Sequence, residues 1–187
     1  MKEKVTKIIS SILSTIIVLL SVFLLVKNIF FFEIIVVGTS MDSTLKEGEM
    51  GFAIKDNFLI NIDREDIIIF QKEGREIIKR VIGVPSDHIK ITQEGVYVND
   101  TFIEEPYLKE GNEQYTFNGL NAYKNIILGE DEYFVLGDNR VNSYDSRYYG
   151  PIKKEQITGK LKVITAQGEL KEDDQIENKK IIPFRFF

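Results

Sequence analysis

The chain has 187 residues, 43% of them hydrophobic and 28% charged, with a net charge of −5. That is room for one domain with a packed core plus a membrane segment. The portion beyond residue 33 carries 20 Lys and Arg against 27 Asp and Glu, a net −7, which argues against nucleic acid as a partner and against a general pull onto anionic lipid.

From Ile8 to Val26 the sequence is uncharged and dominated by Ile, Leu, Val and Ser. A run of about 20 apolar residues is what a bilayer core requires. Lys27 and Asn28 interrupt it and Ile29 to Phe32 resume it, so the expected anchor spans residues 8–32. Lys2, Lys4 and Lys7 precede it, which places residues 1–7 in the cytoplasm and residues 33–187 outside, in a single-pass arrangement at the cell membrane. A cleavable leader is disfavoured, because the first alanine is Ala53, far beyond the apolar run.

After Phe32 the pattern becomes extended. Short β-branched or aromatic runs, bounded by Gly, Pro, Asn or Asp, occur at Ile34–Val37, Gly51–Ile54, Ile67–Phe70, Glu76–Gly83, Ile89–Ile91, Val96–Val98, Tyr133–Leu136 and Leu161–Ile164. No long stretch beyond residue 33 has a helical period. The expected fold is mainly β: one N-terminal transmembrane helix followed by a sandwich- or barrel-like catalytic domain. Asn99-Asp100 reads as a hairpin turn, since both residues tolerate positive φ. Residues 86–132 read as an inserted hairpin or flap region, with a longer excursion over 104–130. Residues 167–180, polar and charged, read as a loose loop, and Ile181–Phe187 as an edge strand or a membrane-surface contact.

Three segments carry candidate chemistry. Ser40 follows Gly38 and Thr39 at the end of a strand-like run, where a glycine permits a sharp turn. By itself it is indistinguishable from any turn serine. Lys79 stands among Ile77, Ile78, Val81 and Ile82. An apolar setting lowers a lysine pKa and lets the neutral amine act as a base. Alternation along residues 76–82 does not decide whether Lys79 is buried, because both faces are apolar. The third segment, Gly137 to Arg147, holds Asp138, Asn139, Arg140, Asn142, Ser143, Asp145, Ser146 and Arg147 directly after the apolar Tyr133–Leu136. Interleaved acids and arginines suggest an ordered polar network able to fix a base. A calcium loop is disfavoured, since Arg140 falls where an oxygen ligand is required. Without cysteine, and with His88 as the single histidine, disulfides, thiolate chemistry and a histidine-rich metal site are excluded. A Ser–His–Asp triad would have to use His88, which reads as a surface residue near a strand start.

Taken together, the Ser40-Met41-x-x-Thr44-Leu45, Lys79-Arg80-Val81-Ile82-Gly83 and Gly137-Asp138-Asn139-Arg140-x-Asn142-Ser143-x-Asp145-Ser146-Arg147 blocks resemble those of bacterial type I signal peptidases, over roughly residues 8–166. The resemblance implies a membrane-bound serine–lysine endopeptidase that removes signal peptides from exported preproteins, without cofactor or metal. It implies Ser40 as nucleophile and Lys79 as general base, which is the lysine branch of the family. Ser143 would hydrogen-bond the lysine, Asp145 and Arg147 would form a supporting ion pair, and Asp138 would steady the site with Arg80. Met41 would shape the pocket, and the Ser40 N–H would serve the oxyanion. The second donor is left open because Gly38 stands where some relatives have a hydroxyl. The substrate would lie extended against Ile34, Ile35, Val36, Val37 and Gly38, with small residues in an Ala-x-Ala pattern before the cut. Expected partners are signal peptides, membrane lipid around the helix and the translocation machinery. The compact segment between Pro85 and Tyr133 is similar to that of Gram-positive enzymes. Ser43 departs from the family's proline, and Glu65 and Ser86 from glycines. Alternatives are a dedicated serine–lysine peptidase for a pilin or conjugation factor, and a catalytically silent homologue that only binds export substrates.

Overall fold

The computed structural model describes residues 2–56, 61–110, 125–171 and 175–187. Helix α1 (Lys2–Phe30) is 29 residues long, about 44 Å at 1.5 Å per residue. It is long and apolar enough to cross a membrane, and its large apolar side chains from Val5 to Ile29 are exposed.

The strands follow in chain order: β1 (Phe31–Ile35), β2 (Glu49–Lys55), β3 (Ile67–Lys72), β4 (Arg75–Gly83), β5 (His88–Ile91), β6 (Val96–Val98), β7 (Thr101–Phe102), β8 (Asn125–Ile127), β9 (Glu132–Leu136), β10 (Ile152–Lys153), β11 (Ile157–Leu170) and β12 (Ile176–Phe186). A short helix, α2 (Ser146–Tyr149), precedes β10. The chain is therefore mostly β, as its runs of β-branched residues lead one to expect. Among the described residues, one sheet runs β1-β2-β11-β3-β4-β9-β10, with β12 also on β11; a smaller sheet runs β7-β6-β5-β8.

Helix α1 stops two residues short of the end expected for the anchor. Phe31 and Phe32 belong to β1, opposite Ile54 and Ala53 of β2, so sheet pairing stops the helix at Phe30. The loose loop expected over residues 167–180 is also corrected. Gln167–Leu170 complete β11, and Ile176–Lys180 begin β12, with Gln167 opposite Lys180 and Leu170 opposite Ile176. Residues 172–174 lie outside the described residues, as do 111–124 of the expected excursion. Ile181–Phe186 form the remainder of β12, and Ile181, Phe184 and Phe186 are exposed.

The cores explain the patterning. In β3, Ile67 and Ile69 join a cluster with Ile34, Val36, Met41, Leu45, Ala53, Leu161 and Ile164. Ile68 and Phe70 point the other way, into a cluster with Val81, Tyr133, Val135 and Ile152. A strand buried on both faces reads as an uninterrupted apolar run. A third cluster, Ile82, Ile89, Ile91, Val96, Val98, Leu128, Phe134 and Leu136, binds the small sheet to the large one. The β6–β7 hairpin turns at Asn99 and Asp100, both with positive φ (52° and 64°), the geometry of a two-residue hairpin loop.

Candidate active site

Val36 continues the line of β1 by donating from its N–H to Glu49 O, after which Gly38 turns the chain at φ 81°. Residues 39–45 then coil tightly, with the N–H groups of Thr44 and Leu45 both donating to Met41 O. The 137–142 segment grips this Ser40 turn from outside. Asn139 N–H donates to Ser40 O at 2.9 Å, Asn139 Nδ2 to Thr39 O at 3.2 Å and Asn142 Nδ2 to Thr39 Oγ1 at 2.8 Å. Gly137 allows the approach: a Cβ there would stand 2.5 Å from Ser40 O and 2.3 Å from Ser143 Oγ.

Lys79 reaches the turn from β4. Its Nζ is 2.7 Å from Ser40 Oγ and donates to Ile78 O at 3.0 Å. The residue is 4% exposed. Burial pulls its pKa down to about 8, against the opposing attraction of Asp145 and Asp138.

Around the pair lies a network of buried ions. Asp138 accepts from Arg80 twice, Nε to Oδ1 at 2.9 Å and Nη2 to Oδ2 at 2.6 Å. Asp145 is held likewise by Arg147, at 2.8 and 2.9 Å, and also accepts from Gly137 N–H at 3.0 Å and caps α2 through Arg147 N–H. Fork-on-fork pairs fix geometry as well as charge, and their paired bonds offset much of the cost of burial, with Arg147 Nη1 left without a partner among the described residues. Met41 is buried beneath the turn, its sulfur facing Asp138 N–H at 3.5 Å.

The structure thus brings together Ser40, Lys79, Met41, Arg80, Asp138, Asp145 and Arg147. Ser143 lies there too, its Oγ beside Gly137. Its hydroxyl is buried and has no partner among the described residues. The bond that the resemblance assigns it with Lys79 is replaced by that of Lys79 to its own strand, at Ile78 O. His88 stands apart, at the start of β5, with Nε2 against Asn125 Oδ1.

Some contacts of the network are invisible in the sequence. Thr44 Oγ1 bonds Asp138 Oδ2 and accepts from Arg80 Nη2 at 3.2 Å. Arg140 Nη1 donates to Glu105 Oε2 at 2.8 Å, and Arg185 of β12 donates to Thr44 O at 2.8 Å. Spacings of 35 to 141 residues give no local signal for these contacts.

A cleft of about 450 Å³ runs beside the pair, lined by Glu33 to Gly38, Ser40, Met41, Ile69 and Glu76 to Lys79. All five residues expected to meet the substrate line it. Ile35 and Val37 are exposed, while Ile34 and Val36 face the core, and β1 is the edge strand of its sheet.

The family described as signal peptidase, peptidase S26, matches residues 8–166. Signal peptidase I U of Bacillus subtilis (strain 168) is 35% identical over 150 residues, covering 78% of this chain and 80% of the relative. Signal peptidase I of Streptococcus pneumoniae serotype 4 is 33% identical over 179 residues, covering 77% and 86%. A crystal structure of a signal peptidase I from Enterococcus faecalis V583 is 35% identical, with a TM-score of 0.48 over 55% of this chain and 97% of that one. The chain belongs to the peptidase S26 family of signal peptidases and is a serine endopeptidase of the signal peptidase I type.

Proposed function

We propose that Ser40 and Lys79 are the catalytic dyad of this peptidase, and that α1 anchors it with the catalytic domain outside the membrane. The observation that carries the reading is the 2.7 Å approach of the buried Lys79 amine to the Ser40 hydroxyl. With a pKa drawn to about 8, a useful share of Lys79 is neutral near physiological pH, which is what a general base requires.

The signal peptide lies extended in the cleft and adds its backbone to the free edge of β1. Exposed Ile35 and Val37 frame shallow apolar pockets suited to the small side chains of Ala-x-Ala. Lys79 takes the Ser40 proton as Oγ attacks the scissile carbonyl. Ser40 N–H donates to the oxyanion. The tetrahedral species collapses as Lys79 returns the proton to the leaving amine, releasing the mature protein. Lys79 then deprotonates a water that hydrolyses the acyl-enzyme, and Ser40 regains its proton. Asp145 and Asp138 steady the ammonium formed at each step. Lys2, Lys4 and Lys7 hold the helix start in the cytoplasm. Because β1 follows the helix at once, the cleft stays near the membrane face, where signal peptides emerge.

The test is cleavage of a preprotein carrying Ala-x-Ala. Ser40→Ala abolishes cutting, and Lys79→Ala lowers it by ~10²–10⁴-fold or more. Intact activity in either variant refutes the dyad.

A further inference from the structure

The small sheet is joined to the site by the arm that follows β7. Ile103 N–H still bonds Val96 O, but Glu105, Tyr107 and Lys109 reach the large sheet. Tyr107 lays its ring on Arg80, with Cζ 4.0 Å from the ring centroid. Its hydroxyl donates to Glu105 Oε1 at 2.7 Å. Glu105 is in turn paired with Arg140, whose Nε donates to Gly137 O at 2.9 Å. Lys109 Nζ donates to Asp42 O at 3.2 Å, on the nucleophile turn itself. The Tyr107 phenol is partly buried, and its pKa is pushed far up by that desolvation and by Glu105. It therefore stays neutral and acts as a flat cover.

We infer that Tyr107 is a positioning residue for catalysis: its ring clamps the Arg80 guanidinium flat on Asp138 and keeps water from the ion pairs that face the Lys79 amine. This rests on Lys79 being the base. A guanidinium covered by a ring on its face and paired at its edge with a carboxylate gains from stacking as well as from charge. The charges facing Lys79 are Asp138 and Asp145, countered respectively by Arg80 and Arg147; those facing Tyr107 are Arg80, Glu105 and Arg140. With the ring gone, water enters over Arg80, Asp138 is less closely neutralised, and the Lys79 ammonium becomes easier to form. The base then titrates higher, and the acid limb of activity moves to higher pH.

The experiment compares the pH dependence of kcat/KM on an Ala-x-Ala preprotein for the full chain, Tyr107→Leu and Tyr107→Phe, with thermal unfolding alongside. The Phe variant keeps the ring and retains the original acid limb. In Tyr107→Leu the limb rises by about half a unit, so that activity on the acid side falls about threefold while the plateau changes less. Coincident limbs in the full chain and a folded Tyr107→Leu overturn the inference. So does an equal shift in both variants, which assigns the effect to the hydroxyl. Should Tyr107→Leu lose its unfolding transition, Tyr107→Met, similar in volume and without a ring, is read by the same rule. Activity surviving in Ser40→Ala or Lys79→Ala overturns the dyad instead, so the two failures are distinguishable.

Discussion

Beside the Ser40 turn, Arg80, Asp138, Asp145 and Arg147 are all buried and doubly hydrogen-bonded. Inside the small sheet the buried side chains are Ile89, Ile91, Val96 and Val98, backed by Leu128, Phe134 and Leu136. A buried ion, Asp87, sits at its root, where it accepts from Arg64, Asn99 and Val84 N–H. The first region owes its shape to directional charge, which breaks sharply when one partner is lost. The second is held by close apolar packing, which degrades in proportion to the volume removed. One builds a site, the other a platform from which the Tyr107 arm is held.

Asp145→Asn should break the contrast most severely. It strands Arg147, which is 1% exposed, and should cost ~3–5 kcal/mol in chemical unfolding together with most activity. A loss below about 1 kcal/mol would show that the network is not a structural unit. Ile89→Val, in the small sheet, should cost about 0.5–1.5 kcal/mol and leave kcat unchanged. A fall in kcat with stability intact would contradict the division between site and platform.

Smaller effects are expected where the chain departs from the family's glycines. Glu65 and Ser86 both have left-handed backbones, φ 74° and 71°, a conformation that costs most side chains roughly 1 kcal/mol. Glu65→Gly should therefore raise stability by about 0.5–1 kcal/mol, after the extra chain entropy of glycine is offset. Glu65 matters to the site because its carbonyl accepts from Arg80 Nη1 at 2.8 Å. A destabilised Glu65→Gly would mean that the strained residue contributes more than its backbone.

What the sequence reveals follows from how local each signal is. The turn at Asn99-Asp100 is legible because two adjacent residues carry it. The four-residue run of β3 is legible as a strand, although its burial on both faces emerges only with the cores. The β11–β12 hairpin is hidden, because Glu177 to Lys180 are all exposed and offer no alternation. The pairing of Ser40 with Lys79 rests on motif resemblance, since nothing local in residues 76–82 says which way the lysine turns. Glu105 and Tyr107 escape notice altogether. They lie in a polar stretch, and their partners Arg140 and Arg80 are 35 and 27 positions away.

The central claim is an amine beside Ser40 whose proton burial makes easier to lose. An NMR titration of the Lys79 side chain in the full-length protein tests it most directly. The account predicts a midpoint near 8, with preprotein cleavage rising through the same range as the ammonium loses its proton and failing as pH drops below it. A midpoint at the ordinary lysine value of about 10.4, or cleavage that holds level while Lys79 becomes protonated, would contradict it.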